Sequence, residues 1–278
     1  MSADSEFCAA AAEIARQAGA ILLEHRGRVG IEYKGEADLV TAADRASEAF
    51  LTAALRQRFP GHGMVAEEGS RTAGTEYCWY VDPLDGTTNY AHGLPIFAVS
   101  LGLEHRGELT AGVVYNPVLD ELFTAARGQG AQLNGAPIRV SGQRELAQSL
   151  LATGFPSKKR HANPNIHFYQ HFSLRTHGMR RLGSAALDLC YTACGRFEGF
   201  WEFNLQPWDT AAGTLIVQEA GGTVSDMMGG RHRLDSPEVL ASNGWVHAAL
   251  LAEFADLFQG KAEALPAAAE YAAARRAR

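Results

Sequence analysis

Residues 80–93 read YVDPLDGTTNYAHG, and the parsing of this stretch sets the fold. An apolar run, CWYV, leads straight into Asp82 and Asp85, with Pro83 and Leu84 between them. The run reads as a strand ending at Asp82. Pro83 fixes φ at the next step, and Asp85 then falls near the start of a helical turn. That path aims both carboxylates and the Leu84 carbonyl at one point. Gly86, Thr87 and Thr88 follow, and backbone N–H groups at a helix start behind a glycine form a cradle for phosphate. Asp-Pro and Asp-Gly are also turn signals, so the same residues read alone as a turn with a cap.

Outward from this point the chain falls into two rhythms. Upstream, residues 5–25 carry Ile14, Ala18, Ile21 and Leu22 at helical spacing, and a short strand, IEYK, follows. Thr41 with Asp44 three positions on forms a capping box for a second helix, which stops at Pro60-Gly61. Downstream of Phe97, short strand-like runs alternate with turn signals, among them the hairpin pair Asn134-Gly135. The first half is therefore an α+β unit, an antiparallel meander sheet with two helices. After about residue 145, strands alternate with helices in a smaller mixed α/β half. The expected architecture is a layered αβαβα sandwich, divided as residues 1–144, 145–260 and a tail, 261–278.

Bulk properties narrow the class. Of 278 residues, 46% are hydrophobic and 20% charged, which suits a globular protein with a sizeable core. The formal net charge of -6 gives no general nucleic-acid footprint. Cys8, Cys78, Cys190 and Cys194 show no CxxC spacing; Cys190 and Cys194, one helical turn apart in an apolar helix, read as buried thiols, and a reducing cytoplasm is expected. No apolar run reaches membrane-spanning length.

Further acids stand at element boundaries. Glu67 ends the apolar run before Glu68, and Asp209 opens a helix behind Pro207-Trp208. If Glu67, Asp82, Asp85 and Asp209 converge, they cannot sit bare. Two like charges 4 Å apart repel by roughly 4 kcal/mol at an effective dielectric of 20. Such a group either protonates or recruits cations. Hard oxygen donors with few histidines favour Mg²⁺ over Zn²⁺. Carboxylate-held Mg²⁺ beside a phosphate cradle specifies metal-assisted phosphate-ester hydrolysis.

The segments DPLDGTTNYAHG, AEEGS, PWDTAAG…EAGG, KGEADLVTAADRASE and GSAALDLCYTACGRFEGFWE together resemble the inositol monophosphatase family. They run in family order over roughly residues 34–222, most of the chain. The resemblance implies a first Mg²⁺ on Glu67, Asp82 and the Leu84 carbonyl. It implies a second on Asp82, Asp85 and Asp209, and a weaker third reached from Glu67 through waters. It casts Thr87 and Asp44 as the pair that orients and deprotonates the attacking water. Gly86 and Thr87 would bind phosphate oxygens. Asp85, Gly183, Ser184, Ala185, Glu202 and Asp209 would meet the alcohol. Lithium inhibition and a homodimer are further family expectations.

The reading is a Mg²⁺-dependent phosphomonoesterase for a small polyol phosphate, myo-inositol monophosphate first. Fructose-1,6-bisphosphatase, histidinol-phosphate phosphatase and a broad sugar phosphatase are alternatives with the same chemistry. A protein that works with transcription antitermination machinery on RNA is the alternative from another class. Several residues keep second readings. Asp44 doubles as the capping-box partner of Thr41. Glu68 reads as exposed or supporting, Lys34 and Asp38 as site-tuning charges or a surface pair, and Glu202 as a solvent-facing strand residue. His167 and His171 have metal-compatible i,i+4 spacing but no acidic or thiol partner nearby. Lys158, Lys159, Arg160 and His161 read as a solvated basic loop or a steering patch, and Arg180 and Arg181 share that ambiguity. Trp79, Tyr90 and Trp208 read as core.

Overall fold

A computed structural model describes residues 3–27, 31–35, 38–74, 76–155 and 164–261. The side chains of Lys34 and Asp38, the basic run Lys158–His161 and residues 262–278 lie outside what it describes. Two helices, α1 (Ala3–His25) and α2 (Ala42–Arg58), flank a small antiparallel pair, β1 (Ile31–Gly35) and β2 (Asp38–Thr41). The large sheet then builds from β3 (Gly63–Ala66), β4 (Arg71–Thr72), β5 (Tyr77–Asp85), β6 (Ala98–His105), β7 (Glu108–Asn116), β8 (Glu121–Ala126), β9 (Ala131–Leu133) and β10 (Ala136–Ile138). A five-residue helix, α3 (Thr87–Ala91), interrupts it after β5. Spatial order is β10-β9-β8-β7-β6-β5-β3-β4. The meander is antiparallel as expected, but β3 joins β5 in parallel. Asn134 and Gly135 both take positive φ, 50° and 81°, as a tight hairpin between β9 and β10 requires.

The second half contributes β11 (Leu150–Thr153), α4 (Asn165–Arg175), β12 (Gly178–Arg180), α5 (Ala185–Ala193), β13 (Gly199–Phe203), α6 (Pro207–Glu219), β14 (Thr223–Ser225), β15 (Glu238–Ser242) and α7 (His247–Phe258). Its sheet, β12-β11-β13-β15-β14, is mixed: β11 pairs in parallel with both neighbours, and β15 antiparallel with both of its own.

Three apolar clusters hold five layers together. Leu22 of α1 and Leu51 and Leu55 of α2 pack on Trp79, Val81 and Leu101 from one face of the large sheet. Val114 and Phe123 from the other face meet Leu187 and Leu189 of α5, Ile216 of α6 and Phe200 of the small sheet. Leu151, Trp201 and Leu240 on its far face meet Phe172 of α4 and Phe254 of α7. The αβαβα order is thus a statement about which faces are apolar.

Although α6 belongs to the second half of the sequence, it packs on β6 and β7. A Cβ at Gly102 would lie 2.5 Å from the Ala211 Cβ, and one at Gly112 would lie 2.7 Å from the Ala212 carbonyl. Only glycines let the helix come this close. That approach brings the start of α6 to the strand ends bearing Asp82.

Some expectations needed adjustment. β5 does not end at Asp82 but continues to Asp85, with an irregularity in register between them. Trp208 and Cys194 are only partly buried, unlike Trp79, Tyr90 and Cys190. β2 and β12 went unread, being only four and three residues long. All four cysteines are free. No described helix is long and apolar enough to cross a membrane.

Candidate active site

The acidic loop is built by a bulge. Asp82 pairs with Ser100 and Asp85 with Ala98, so three steps on β5 face two on β6. The extra residue bends the strand and turns its carboxylates out of the ladder. Asp82 is 2% exposed, and its Oδ1 accepts the Leu84 N–H at 2.9 Å. Ser47 of α2 donates to the Pro83 carbonyl at 3.0 Å and pins the bend. Gly86 then turns with φ +92°, where a Cβ would meet the Ile96 carbonyl at 2.9 Å. A side chain there fails on backbone conformation and on space. The first amides of α3 follow, without intrahelical acceptors.

Glu67 comes from the neighbouring strand end. Its N–H donates to the Val81 carbonyl at 3.1 Å, just past the parallel β3–β5 pairing. Glu48 of α2, unremarked in the sequence, is buried and accepts from the Glu68 N–H at 2.7 Å and the Ser70 N–H at 3.2 Å. It holds the loop that presents Glu67. No short motif marks it; only its place on the inner face of α2 does.

Asp44 is wholly buried and multiply hydrogen-bonded. Its Oδ2 accepts from the Thr41 N–H at 2.8 Å and the Thr41 hydroxyl at 2.5 Å. Its Oδ1 faces the Thr87 hydroxyl at 3.2 Å, and that hydroxyl also faces the Leu84 carbonyl at 3.1 Å. The single Thr87 proton serves one acceptor at a time, leaving an oxygen lone pair directed elsewhere. Asp44 is both the capping-box partner of Thr41 and the neighbour of Thr87, so its two readings coexist. Burial raises its pKa, against the lowering effect of the Thr41 and Thr87 bonds.

The second half closes on the same place. Asp85 Oδ2 accepts from the Ser184 hydroxyl at 2.6 Å and the Ala186 N–H at 2.8 Å. It thereby meets the N-terminus of α5, where negative charge is favoured. Asn89, which the motif reading left without a role, donates to the carbonyls of Leu182 at 2.7 Å and Gly183 at 3.4 Å. It ties α3 to the Gly183–Ser184 segment. The Ser100 hydroxyl donates to the Trp208 carbonyl at 3.3 Å, and Asp209 Oδ2 accepts the Gln206 N–H at 2.7 Å. Glu202, on β13, is buried rather than solvent-facing.

Electrostatics show that these acids share one neighbourhood. Burial pushes Asp82 well above the usual carboxylate range, reinforced by Glu67, Asp85 and Asp209 and by a hydrogen bond with Glu67. Burial raises Asp209 as well, with Asp85 and Glu202 adding to it. Asp85 is also raised by burial, but its bonds to Ser184, Ala186 and Ala185 oppose the shift. Asp85 and Asp209 keep part of their surface open while protein crowds their carboxyls. Glu202 rises to about 8 through burial and the Asp85 charge, with Arg181 pulling the other way. Among the described residues, no three Asp, Glu, His or Cys side chains already form a metal-holding group. The donors are gathered as mutually repelling neighbours rather than as a finished cage. Their chemistry, carboxylates plus a backbone carbonyl, suits a hard divalent cation, and the hydrogen bond between Asp82 and Glu67 joins two groups that a cation would otherwise hold.

A further acid escaped the sequence reading. Asp188 of α5 is wholly buried, and neither carboxyl oxygen has a hydrogen-bond partner. Glu202 and Asp85 act on it, with Arg181 as the opposing cation. Helical spacing from Ser184 was the available signal, since i and i+4 share a face. The histidine pair separates: His167 is exposed, while His171 is buried with Nε2 2.5 Å from Glu253 of α7. Arg180 is exposed and spends one N–H on the neighbouring Met179 carbonyl.

The chain is similar to known proteins along most of its length. The family model of the inositol monophosphatase family matches residues 3–258. A Pseudomonas aeruginosa relative named Nus factor SuhB is 44% identical over 247 residues, covering 85% of this chain and 91% of its own. The inositol-1-monophosphatase of Mesorhizobium japonicum is 45% identical over 246 residues, 86% of this chain and 92% of its own. The solved inositol monophosphatase from Anabaena (Nostoc) sp. PCC 7120 has a TM-score of 0.83 at 41% identity, covering 91% of this chain and 96% of that one. With a match running from α1 to α7, the chain belongs to the inositol monophosphatase family, a family of phosphatases.

Proposed function

We propose that the protein hydrolyses the phosphate monoester of a small polyol, with myo-inositol monophosphate the first choice, in a Mg²⁺-dependent reaction. One observation carries this: carboxylates from residues 67, 82, 85 and 209, remote in sequence, act on one another at a single place beside the α3 amides. The relative named inositol-1-monophosphatase supports the substrate.

In this reading Glu67, Asp82 and the Leu84 carbonyl would hold one Mg²⁺, Asp82, Asp85 and Asp209 would hold a second, and Glu67 would help to hold a third. Bound Mg²⁺ acidifies water and neutralises charge on the phosphoryl and leaving oxygens. The chain does the rest. Gly86 and Thr87 amides fix the phosphoryl oxygens. The Thr87 hydroxyl, with its proton turned toward Asp44, offers its lone pair to the incoming water, and Asp44 takes up the proton. Gly183, Ser184, Ala185 and Glu202 line the alcohol side, with Asp85 and Asp209 bridging to it. Residues 1–144 thus supply the phosphate side and residues 145–260 the polyol side, apart from Asp209.

The test is turnover across a panel of phosphate esters during Mg²⁺ titration. Activity should rise from background with Mg²⁺, fall with Li⁺, and be highest on myo-inositol monophosphate. Fructose-1,6-bisphosphate or histidinol phosphate ranking first would replace the substrate; metal-independent turnover would remove the mechanism. A dimer is expected by sedimentation. The 44% identity to a protein named Nus factor SuhB supports a second reading, a partnership with transcription machinery. Asp85→Asn separates the two, since it should remove turnover and leave partner binding unchanged.

A further inference from the structure

Glu202 stands just past the last pairing of two parallel strands. The register of β11 and β13 ends with Thr153 opposite Trp201. The next residues along are Gly154 and Glu202. Both sit at the C-terminal ends of their strands, where open α/β sheets place ligands. A Cβ built on Gly154 would fall onto the Glu202 carboxyl group, and its three nearest atoms would be Oε2, Cδ and Oε1 of that one side chain. The carboxyl group therefore fills the space of the side chain that residue 154 lacks. Gly154 does not take positive φ, so its backbone would carry a side chain without strain. Space alone calls for glycine here.

Gly154 is also pinned. Asn165, at the start of α4 and wholly buried, donates from Nδ2 to the Gly154 carbonyl at 2.6 Å and to the Thr153 hydroxyl at 2.8 Å. Its Oδ1 accepts the Trp201 Nε1–H at 2.7 Å, and the Thr153 hydroxyl donates to the Trp201 carbonyl at 2.7 Å. One amide thus ties the end of β11 to β13 at the residue before Glu202. The Glu202 carboxyl group is 8% exposed, and no hydrogen bond from the described residues holds it. Its place is set by the glycine floor beneath it, and its oxygens are left for a ligand.

We propose that Gly154 is a specificity-determining residue, whose missing side chain seats the Glu202 carboxyl group to accept from a polyol hydroxyl. This rests on the reading that the polyol lies against Glu202. Gly154→Ala would put a methyl group where the carboxyl group now lies. The floor cannot sink, because Asn165 holds it, so the carboxyl group must swing aside. A polyol then loses its acceptor. An ester whose alcohol carries no further hydroxyl has no such bond to lose.

The test is kcat/KM with Mg²⁺ for myo-inositol monophosphate and for phenyl phosphate, whose alcohol has no other hydroxyl. The ratio of the two is the readout, because a loss of folded enzyme scales both alike and cancels. Gly154→Ala should lower the ratio about tenfold, roughly the worth of one hydrogen bond. Glu202→Ala should lower it at least as far. Gly154→Ala added to Glu202→Ala should lower it no further, since the space is then vacant and the two changes share one contact. That double variant also decides the matter if Gly154→Ala alone does not fold. A ratio lowered by Glu202→Ala but untouched by Gly154→Ala overturns the proposal and leaves the polyol reading standing. A ratio untouched by both overturns the polyol reading as well. Losses that multiply in the double variant, or a double variant that does not fold, overturn the proposal, because Gly154 would then act through something other than Glu202.

Discussion

Asp44 and Asp188 are both wholly buried acids, one in each half of the molecule, and they are opposites. Asp44 has three hydrogen-bond contacts, two from Thr41 and one from Thr87. Asp188 has none. Burial raises the pKa of both, but only Asp44 has bonds that favour its ionised form. An acid so bonded is oriented, and it can hold a neighbour such as Thr87 in place. An unpartnered acid at 0% exposure is a cost to the fold unless it is protonated or matched by a charge that arrives from outside.

The difference should be largest in turnover. Asp44→Asn puts an amide where Thr41 and Thr87 need acceptors, so the Thr87 hydroxyl loses its orientation. If the pair handles the water's proton, kcat should fall by roughly 10²–10⁴-fold, the usual range for general base catalysis. Asp188→Asn, touching nothing by hydrogen bond, should leave kcat within about threefold. Steady-state kinetics on both variants decides it. Equal losses would erase the distinction between the two acids.

Next comes the response of the metal-free protein to pH. Glu202 and Asp209 rise in the fold from ordinary values of 4.5 and 3.8 to about 8. Between those values the folded chain carries protons the unfolded chain has lost, so stability falls as pH rises from about 4 to about 8. Melting temperature without divalent cations should therefore drop across that window, and Mg²⁺ should flatten the slope by binding the charged forms. A metal-free slope of zero, or one that climbs with pH, would show that these acids are not held protonated.

Asp188 sharpens the same point. Its pKa is raised by burial, then by Glu202 and Asp85, so it adds to the fall with pH. Asp188→Asn removes that contribution while keeping the shape. The variant should melt above the parent at pH 8 without metal, by a few degrees at roughly 2–4 °C per kcal/mol, and should converge on it near pH 5. A lower melting temperature at both pH values would mean that Asp188 has a partner after all.

How much of this the sequence disclosed follows the same division. The β5–α3 loop was legible because its cues are local: Pro83 fixes one torsion, Gly86 another, and the capping box lies within four residues of Thr41. The layers were legible because strand and helix periods differ. Glu48 and Asp188 were not, since a buried acid on a helix face looks like any surface acid until the opposing layer is known. The proximity of Asp209 was equally hidden. It depends on Gly102 and Gly112 admitting α6, a contact spanning about a hundred residues. The bulge at Asp82–Asp85 escaped because strand and turn propensities agree on either side of it.

The last effect concerns what holds Asp44. Thr41 is 1% exposed; its hydroxyl donates to Asp44 and accepts from the N–H groups of Ala43 at 3.2 Å and Asp44 at 3.4 Å. Thr41→Val keeps the volume and removes these bonds, while the Thr41 N–H remains to support the carboxylate. Losing an N-cap costs about 1 kcal/mol, and losing one further hydrogen bond adds a similar amount. Melting should fall by roughly 4–8 °C at the size scaling above, and kcat should drop less than tenfold, because Oδ1 still faces Thr87. Thr41→Ser, which retains the hydroxyl, should recover most of both. If the valine variant lost as much turnover as Asp44→Asn at an unchanged melting temperature, Thr41 would be part of the proton path itself rather than the support that keeps Asp44 aimed.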